Sequence, residues 1–279
     1  FKVYTPFWKA TQLKVPLGFE TKVSEIIATD QKLKTESLDG WHFGKGMSRG
    51  SSVVRHFVRL GEDAARERLG YFISNNVMHY SSSRDIPSLD GTSGLSENLS
   101  LGEISPIECW NAGLKALEEG HDAAEIFLKE LVWREFAYHL AHHTPRILNS
   151  NWRQEWDSFP WNTNEKDEGV IRWKQGRTGI PFVDAAMREL YVTGRMHNRG
   201  RMIVASFLTK HLMTHWKIGL KWFENCLIDW DPASNAMGWQ WSAGSGPDAT
   251  PYFRVFNPTT QLEKFDADYK YRDRWLAEF

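Results

Sequence analysis

Apolar residues recur at three- and four-residue spacing along most of this chain, the period of a helix with one buried face. Phe19, Val23, Ile26 and Ile27 keep that spacing. So do Ala65, Leu69, Phe72 or Ile73, Val77 and Tyr80, behind an acidic Glu62-Asp63 start that suits a helix N-terminus. Phe127, Leu131, Arg134 and Tyr138 mark one face of a third helix, from Glu125 to Leu140. Pro181 opens a fourth, and Gly194 sits where it should stop. A fifth is predicted from His197 to Trp216. No stretch sustains period-two alternation, so strands should be few. The fold class read from this pattern is all-α: one helical domain over residues 18–279, led by an irregular linker over 1–17. Two polar stretches rich in Gly, Ser and Pro, Ser81 to Ser105 and Asp229 to Pro251, read as loops. The second is long enough that a site is expected on it.

Composition narrows the class. Of 279 residues, 41% are hydrophobic and 25% charged, the balance of a water-soluble globular protein. No apolar run approaches the roughly 20 residues that cross a bilayer, so no membrane partner is expected. Cys109 and Cys226 are the only cysteines and lack C-x-x-C spacing. No metal site is expected from them, and a reducing, intracellular setting (the cytoplasm in a prokaryote) is the natural reading. The chain opens on Phe1 rather than Met, as a piece of something longer would.

A net charge of −1 conceals an asymmetry: residues 185–221 hold seven Lys/Arg and one Glu, with His197, His211 and His215. Met196, Met202, Phe207 and Trp216 thread this run. A solvated helical face and a groove for nucleic acid both fit it, and charge alone leaves the two open. Ten of the 14 Trp lie between residues 133 and 241. Each indole must bury a large ring and satisfy an N–H, so a purpose beyond filling volume is expected.

Several constellations carry chemistry. Leu89 to Ser96 offers two glycines and several hydroxyls in one short turn, which suits a phosphate, though most such turns bind nothing. Glu130, Trp133 and Ala137 share a helix face distinct from that of Phe127 and Arg134. The sharper reading sends Arg134 inward to an anion while Glu130 and Trp133 line a cleft; the blander one leaves a helix ion pair and an exposed edge. Asn198, Arg199 and Met202 open the fifth helix, with Arg201 projecting elsewhere. Buried carboxylates need partners, and Arg201 is a candidate partner for Asp229.

Taken together, six motifs resemble the flavin-binding helical domain of the DNA photolyase/cryptochrome family, closest to its class I cyclobutane pyrimidine dimer branch. They are L-D-G-T-S-x-L-S, L-x-x-G-E-I-S-P, E-L-V-W-R-E-F, G-R-T-G-I-P-F-V-D-A-A-M-R-E-L, M-H-N-R-x-R-M and D-W-D-P-A-S-N-x-x-G-W-Q-W, in that order. The resemblance runs from Tyr4 to about Trp275. It implies a folded FAD held at Tyr80, Thr92, Ser93, Leu95, Ser96, Arg134, Asn198, Arg201, Asp229, Asp231, Asn235 and Gly238. Asn235 is the photolyase-like choice facing the flavin N5. An electron relay is implied through Trp239, Trp216 and Trp161, in order from the flavin to the surface. The positions matching the lesion pocket are Arg84, Glu130, Trp133, Asn198, Arg199, Met202 and Trp241. Trp133 and Trp241 would wall that pocket, and Glu130 would hydrogen-bond the lesion.

The implied activity is light-driven repair of UV-damaged DNA by a monomer: a carbon–carbon lyase splitting pyrimidine dimers flipped from the duplex. Reduced FAD would lend the electron. An amino-terminal α/β domain carrying an antenna chromophore would lie outside this chain. A cryptochrome-type blue-light receptor with the same FAD fold is the alternative. A 6-4 photoproduct enzyme of the eukaryotic type, with its His pair, matches poorly at Asn198 and Met202. The chain departs from the family at Phe127, where some members carry Trp, and at Gly94 in the phosphate turn. Trp230 and Met237 stand where Gly is frequent, and the Trp161 to Trp173 segment is two residues longer than in close relatives.

Overall fold

Side-chain caps and prolines set half of the α-helix starts among the described residues. The computed structural model describes residues 1–12, 14, 27–43, 50–248 and 255–276. Its α-helices are α1 (Tyr4–Thr11), α2 (Ser51–Val54), α3 (Glu62–Tyr71), α4 (Tyr80–Ser83), α5 (Ser96–Leu101), α6 (Pro106–Glu118) and α7 (Ala124–His143). They continue with α8 (Glu168–Gln175), α9 (Pro181–Thr193), α10 (Asn198–Ser206), α11 (Trp216–Cys226), α12 (Pro232–Ala243), α13 (Pro258–Phe265) and α14 (Lys270–Leu276). Ser105, Asp167, His197, His215, Asp231 and Asn257 each accept a backbone N–H in the first turn of the helix they precede. Prolines at 106, 181, 232 and 258 occupy first positions, where no N–H is needed. Gly194 stops α9 in the left-handed conformation, φ 73°, as its position predicts. Among the described residues there is no strand, only a single parallel bridge between Asn162 and Thr214.

The third and fourth expected helices are present as α7 and α9; the second is broken after α3 by a π-helical turn over Phe72–Asn76 before α4, and elsewhere the structure differs. The irregular lead contains α1, a helix packed on α7. Phe19, Val23 and Ile26 lie outside the described residues, and Ile27 is exposed and non-helical. The fifth helix ends early: α10 passes into a π-helical turn over Phe207–His211, and Trp216 instead begins α11 behind its His215 cap. The second predicted loop holds α12, and the first contains α5.

The interior divides into two apolar clusters. One gathers α1, α3, α6 and α7 around Phe72, Trp110, Phe127 and Phe136; the other gathers α8 to α12 and α14 around Trp173, Phe182, Leu190, Trp216 and Phe223. Helix α12 spans the seam, packing on α7 of the first cluster and on α10 and α11 of the second. Its closest approach to α11 is at Gly219. A Cβ there would fall well inside van der Waals contact of the Trp239 indole ring. Only glycine allows the two helices to close this tightly.

Burial of two ionisable groups gives folding opposite pH dependences. His197, the α10 cap, is pushed down to about 4 by burial. Glu189 is pushed up to about 7, again by burial, against the hydrogen bond it accepts from the Tyr271 hydroxyl. The His197 contribution is therefore present above its ordinary 6.5 and lost as pH falls through about 4. The Glu189 contribution is present below its ordinary 4.5 and lost as pH rises through about 7. The two oppose each other across mildly acidic pH.

Two predictions follow from this packing. Gly219→Ala should cost about 1–3 kcal/mol by forcing Trp239 from its slot; an unchanged melting temperature would refute that close approach. Glu189→Gln removes one of the two opposed titrations. Its stability relative to wild type should climb by about 3 kcal/mol between pH 4.5 and 7 in denaturant titrations. A pH-independent difference would show that Glu189 ionises normally in the fold.

Candidate functional site

At the seam between the two clusters lies a cavity of about 610 Å³, within the size range of ligand-binding pockets. Helix α7 contributes Glu130 and Trp133, and α10 contributes Asn198, Arg199, Arg201, Met202 and Ala205. Helix α12 supplies Ser234, Asn235, Met237, Gly238, Trp239, Trp241 and Ser242. Arg84, just after α4, completes one side, with Phe223, Pro247 and Asp248 filling the remainder. All seven residues expected to hold a lesion line this one cavity. Asn198, Arg201, Asn235 and Gly238 from the expected cofactor set, and Trp239 from the relay, line it too.

Two ion pairs order its polar rim. Arg84 donates to Glu130 at 2.6 Å and lies over the Tyr80 ring. Burial pushes the Tyr80 phenol up to about 12, so it stays neutral. Arg199 donates to Asp85 at 2.6 Å and packs its guanidinium over Phe265, 4.6 Å from the ring centre. Each arginine is thus fixed in place rather than left to wander. Trp133 and Trp241 present flat apolar surface at the same cavity.

A third pair sits deeper. Arg201 donates to Asp229 Oδ2 at 2.7 Å and to the Met196 carbonyl at 2.9 Å. Arg201 lines the same cavity as Asn198 and Met202, whereas spacing alone sent it elsewhere. Asp229 is buried, and its Oδ1 has no hydrogen-bond partner. A buried acceptor left unpaired is costly and suits a ligand N–H. On α12, the space where a side chain at Gly238 would stand is open, which suits a flat ring.

The other expected cofactor residues stand outside the cavity lining but connect to it. Tyr138 donates to Asp231, whose other oxygen caps α12 by accepting from Ser234 N–H at 2.6 Å. Arg134 does not project alone toward an anion: it pairs with Glu135 at 3.0 Å, lies over Tyr138 and reaches the Leu99 carbonyl of α5 at 3.4 Å. The turn carrying Thr92, Ser93, Leu95 and Ser96 is held from below by Arg68, which donates to the Thr92 and Ser93 carbonyls and to Asp90. Leu95 is buried in the first cluster. Thus α5, Arg134, Tyr138, Asp231 and α12 form one continuous polar connection.

The three expected relay tryptophans occupy distinct settings. Trp239 is buried and lines the cavity. Trp216 is fully buried and donates its N–H to Asn151 Oδ1 at 2.8 Å. Trp161 is half-buried among Phe159 and Trp156. His215 bridges Trp161 and Trp216, its ring centre 5.7 Å from one and 5.5 Å from the other. Trp216 and Trp239 share one cluster on the packed helices α11 and α12.

Sequence reasoning missed Arg68, Asp85, Tyr138, Asp248 and Tyr4, which all act across long sequence separations. Phe265 was hidden in the same way. It also missed the ion pair in which Arg195 grips buried Glu97, two residues present in the chain but joined only by folding. Among the described residues no group of three or more His, Cys, Asp or Glu is arranged to hold a metal ion. Nor is any helix there long and apolar enough to cross a membrane.

Comparison with known proteins places the chain in a family. The model of the FAD binding domain of DNA photolyase matches residues 127–279. Deoxyribodipyrimidine photo-lyase of Agrobacterium fabrum is 43% identical over the whole of this chain, which spans 58% of that protein. The solved structure of a bacterial class III photolyase from Agrobacterium tumefaciens superposes with a TM-score of 0.87 at 42% identity, covering 100% of this chain and 58% of that one. A Synechocystis cryptochrome structure superposes with a TM-score of 0.74 at 36% identity, over 79% of this chain and 46% of its own. The chain spans little more than half the length of such relatives. With helices, caps and a seam cavity as described, the chain belongs to the FAD-binding domain family of the DNA photolyases.

Proposed function

We propose that this chain is the catalytic part of a light-dependent DNA repair lyase that splits cyclobutane pyrimidine dimers. The observation that carries the reading is the single cavity whose wall combines Trp133, Trp241, Glu130, Arg84, Asn198, Arg199 and Met202 with Asn235, Gly238 and Trp239. A damaged dinucleotide flipped from the duplex needs flat apolar walls, a hydrogen-bonding acceptor and nearby cations, and this wall supplies all three. The solved Agrobacterium relative is a class III photolyase, so the class I affinity suggested by the motifs is not the one this relative carries.

In this reading the deeper residues would hold FAD. Asp229 Oδ1 would accept from the isoalloxazine, with Arg201 balancing its charge and Asn235 of α12 beside it. Thr92, Ser93, Ser96 and, released from Glu135, Arg134 would hold the pyrophosphate, with Tyr80, Leu95, Asp231, Asn198 and Gly238 shaping the remainder. When bound and reduced, FAD supplies the light-absorbing electron donor. The residues supply position and electrostatics. Trp133 and Trp241 stack the lesion against the cavity, and Glu130 hydrogen-bonds the pyrimidine edge while Arg84 holds its carboxylate in place. Arg199, fixed by Asp85, meets DNA phosphate. Trp239, Trp216 and Trp161 carry electrons from the surface inward.

A cryptochrome-type photoreceptor is the second reading, favoured by the Synechocystis match. Illuminating the reduced protein with a dimer-containing oligonucleotide separates them. Loss of dimers is expected; flavin photochemistry with every dimer retained would replace the repair reading with the receptor one. Glu130→Gln should lower both the repair quantum yield and lesion affinity, by tenfold or less for each (about 1 kcal/mol or so for one hydrogen bond). If both stay at wild-type values, Glu130 does not touch the lesion.

A further inference from the structure

Trp133 lines the cavity, and its indole is itself backed by another ring. The ring of Tyr4 lies parallel to it, 3.6 Å between ring centres and 5° between planes. Parallel rings with centres this close meet face to face, in direct contact and with almost no offset. Tyr4 is buried at the start of α1, far from Trp133 in sequence. Its own orientation is fixed at both ends. The hydroxyl donates to the Lys129 carbonyl on α7 at 2.7 Å, one helical turn before Trp133. The backbone N–H points to Asp248 Oδ2 at 3.4 Å, and Asp248 is itself a cavity residue. Phe136 closes the arrangement, edge-on to both rings at 5.9 and 5.8 Å.

An indole on a helix surface can swing about its side-chain torsions, and stacking on a substrate costs the entropy of stopping that motion. The Tyr4 ring removes the freedom beforehand. We propose that Tyr4 is the positioning residue of the lesion pocket, holding the Trp133 indole as a preformed wall for the damaged pyrimidines. The inference rests on the reading of Trp133 as a wall of that pocket. It gives α1 a task in substrate selection, although no residue of α1 lines the cavity. Burial, with the negative charge of Glu130 nearby, keeps the Tyr4 phenol protonated, so its bond to Lys129 holds at all working pH values.

Equilibrium binding of labelled oligonucleotides, with and without a pyrimidine dimer, tests this in the dark without reference to turnover. Tyr4→Leu should weaken affinity for the damaged strand about two- to tenfold, the range of an aromatic pair, and leave undamaged DNA and FAD content unchanged. Discrimination between the two strands then falls. Tyr4→Phe keeps the ring and should restore wild-type discrimination. Trp133→Leu should lose at least as much, and the double variant no more than Trp133→Leu alone, because Tyr4 acts only through the indole. Wild-type discrimination in Tyr4→Leu beside a weakened Trp133→Leu overturns the positioning role. Wild-type discrimination in Trp133→Leu overturns instead the reading of Trp133 as a pocket wall. Should Tyr4→Leu fail to fold, Tyr4→His carries the same test with a smaller ring: reduced discrimination supports the role and unchanged discrimination overturns it.

Discussion

The ion pair between Arg201 and the buried Asp229 fixes the geometry on which the rest of the site depends. It ties α10 to the segment entering α12, and two residues later Asp231 caps that helix. Such a pair is a poor source of net stability, because the Asp229 charge must leave water to form it. Here the cost is compounded by Asp229 Oδ1, which has no partner within the protein. In the proposed reading the FAD ring would supply that missing partner, while the other oxygen stays 2.7 Å from the arginine.

From that anchor the direction of α12 follows, and with it the placement of the site. The helix crosses the seam between two apolar clusters, where neither can supply enough side chains to fill the space. Gly219 lets Trp239 approach α11, and Gly238 leaves open the space a side chain would fill beside it. The cavity is therefore a consequence of how two cores meet, with its polar groups pinned by pairs to residues behind them. Arg84 on Glu130, Arg199 on Asp85 and Tyr138 on Asp231 serve the same end. Each removes conformational freedom from a group that a ligand would otherwise have to immobilise.

How much of this was legible in the sequence depends on the range over which its causes act. Pro181 and Gly194 bound α9 because both act on the backbone within one turn. The Arg201–Asp229 pair could be anticipated because an apolar-flanked carboxylate needs a cation. The start of α12 was also available, in the Asp231 cap and Pro232 at the first helical position, but a polar face and Gly238 made the segment read as loop. Helix α1 was obscured by its shortness and by Pro6 in its first turn, which the helix tolerates there. The break after α10 comes from a π-helical turn followed by Met213 at φ 49°, a backbone event that apolar spacing does not encode. Contacts such as Arg199 with Asp85 or Tyr4 with Trp133 join residues more than 100 positions apart. No local pattern reports them, and the family resemblance marked only one partner of each.

The settings of the three tryptophans give the proposed relay a direction. An oxidised indole carries a positive charge, which is least stable where neither water nor a hydrogen-bond acceptor can answer it. Trp239 is buried, and its N–H has no partner. Trp216 is as deeply buried, but the carbonyl dipole of the Asn151 side chain accepts its N–H and opposes a positive ring. Trp161 is half-buried with three further aromatic rings packed about it, and its N–H, like that of Trp239, has no partner. In the proposed relay, the step from Trp239 to Trp216 would move a positive ring from an unpartnered site to one opposed by the Asn151 dipole, and the step to Trp161 would bring it nearer to solvent. An electron lent by Trp239 would then be left beside the cavity.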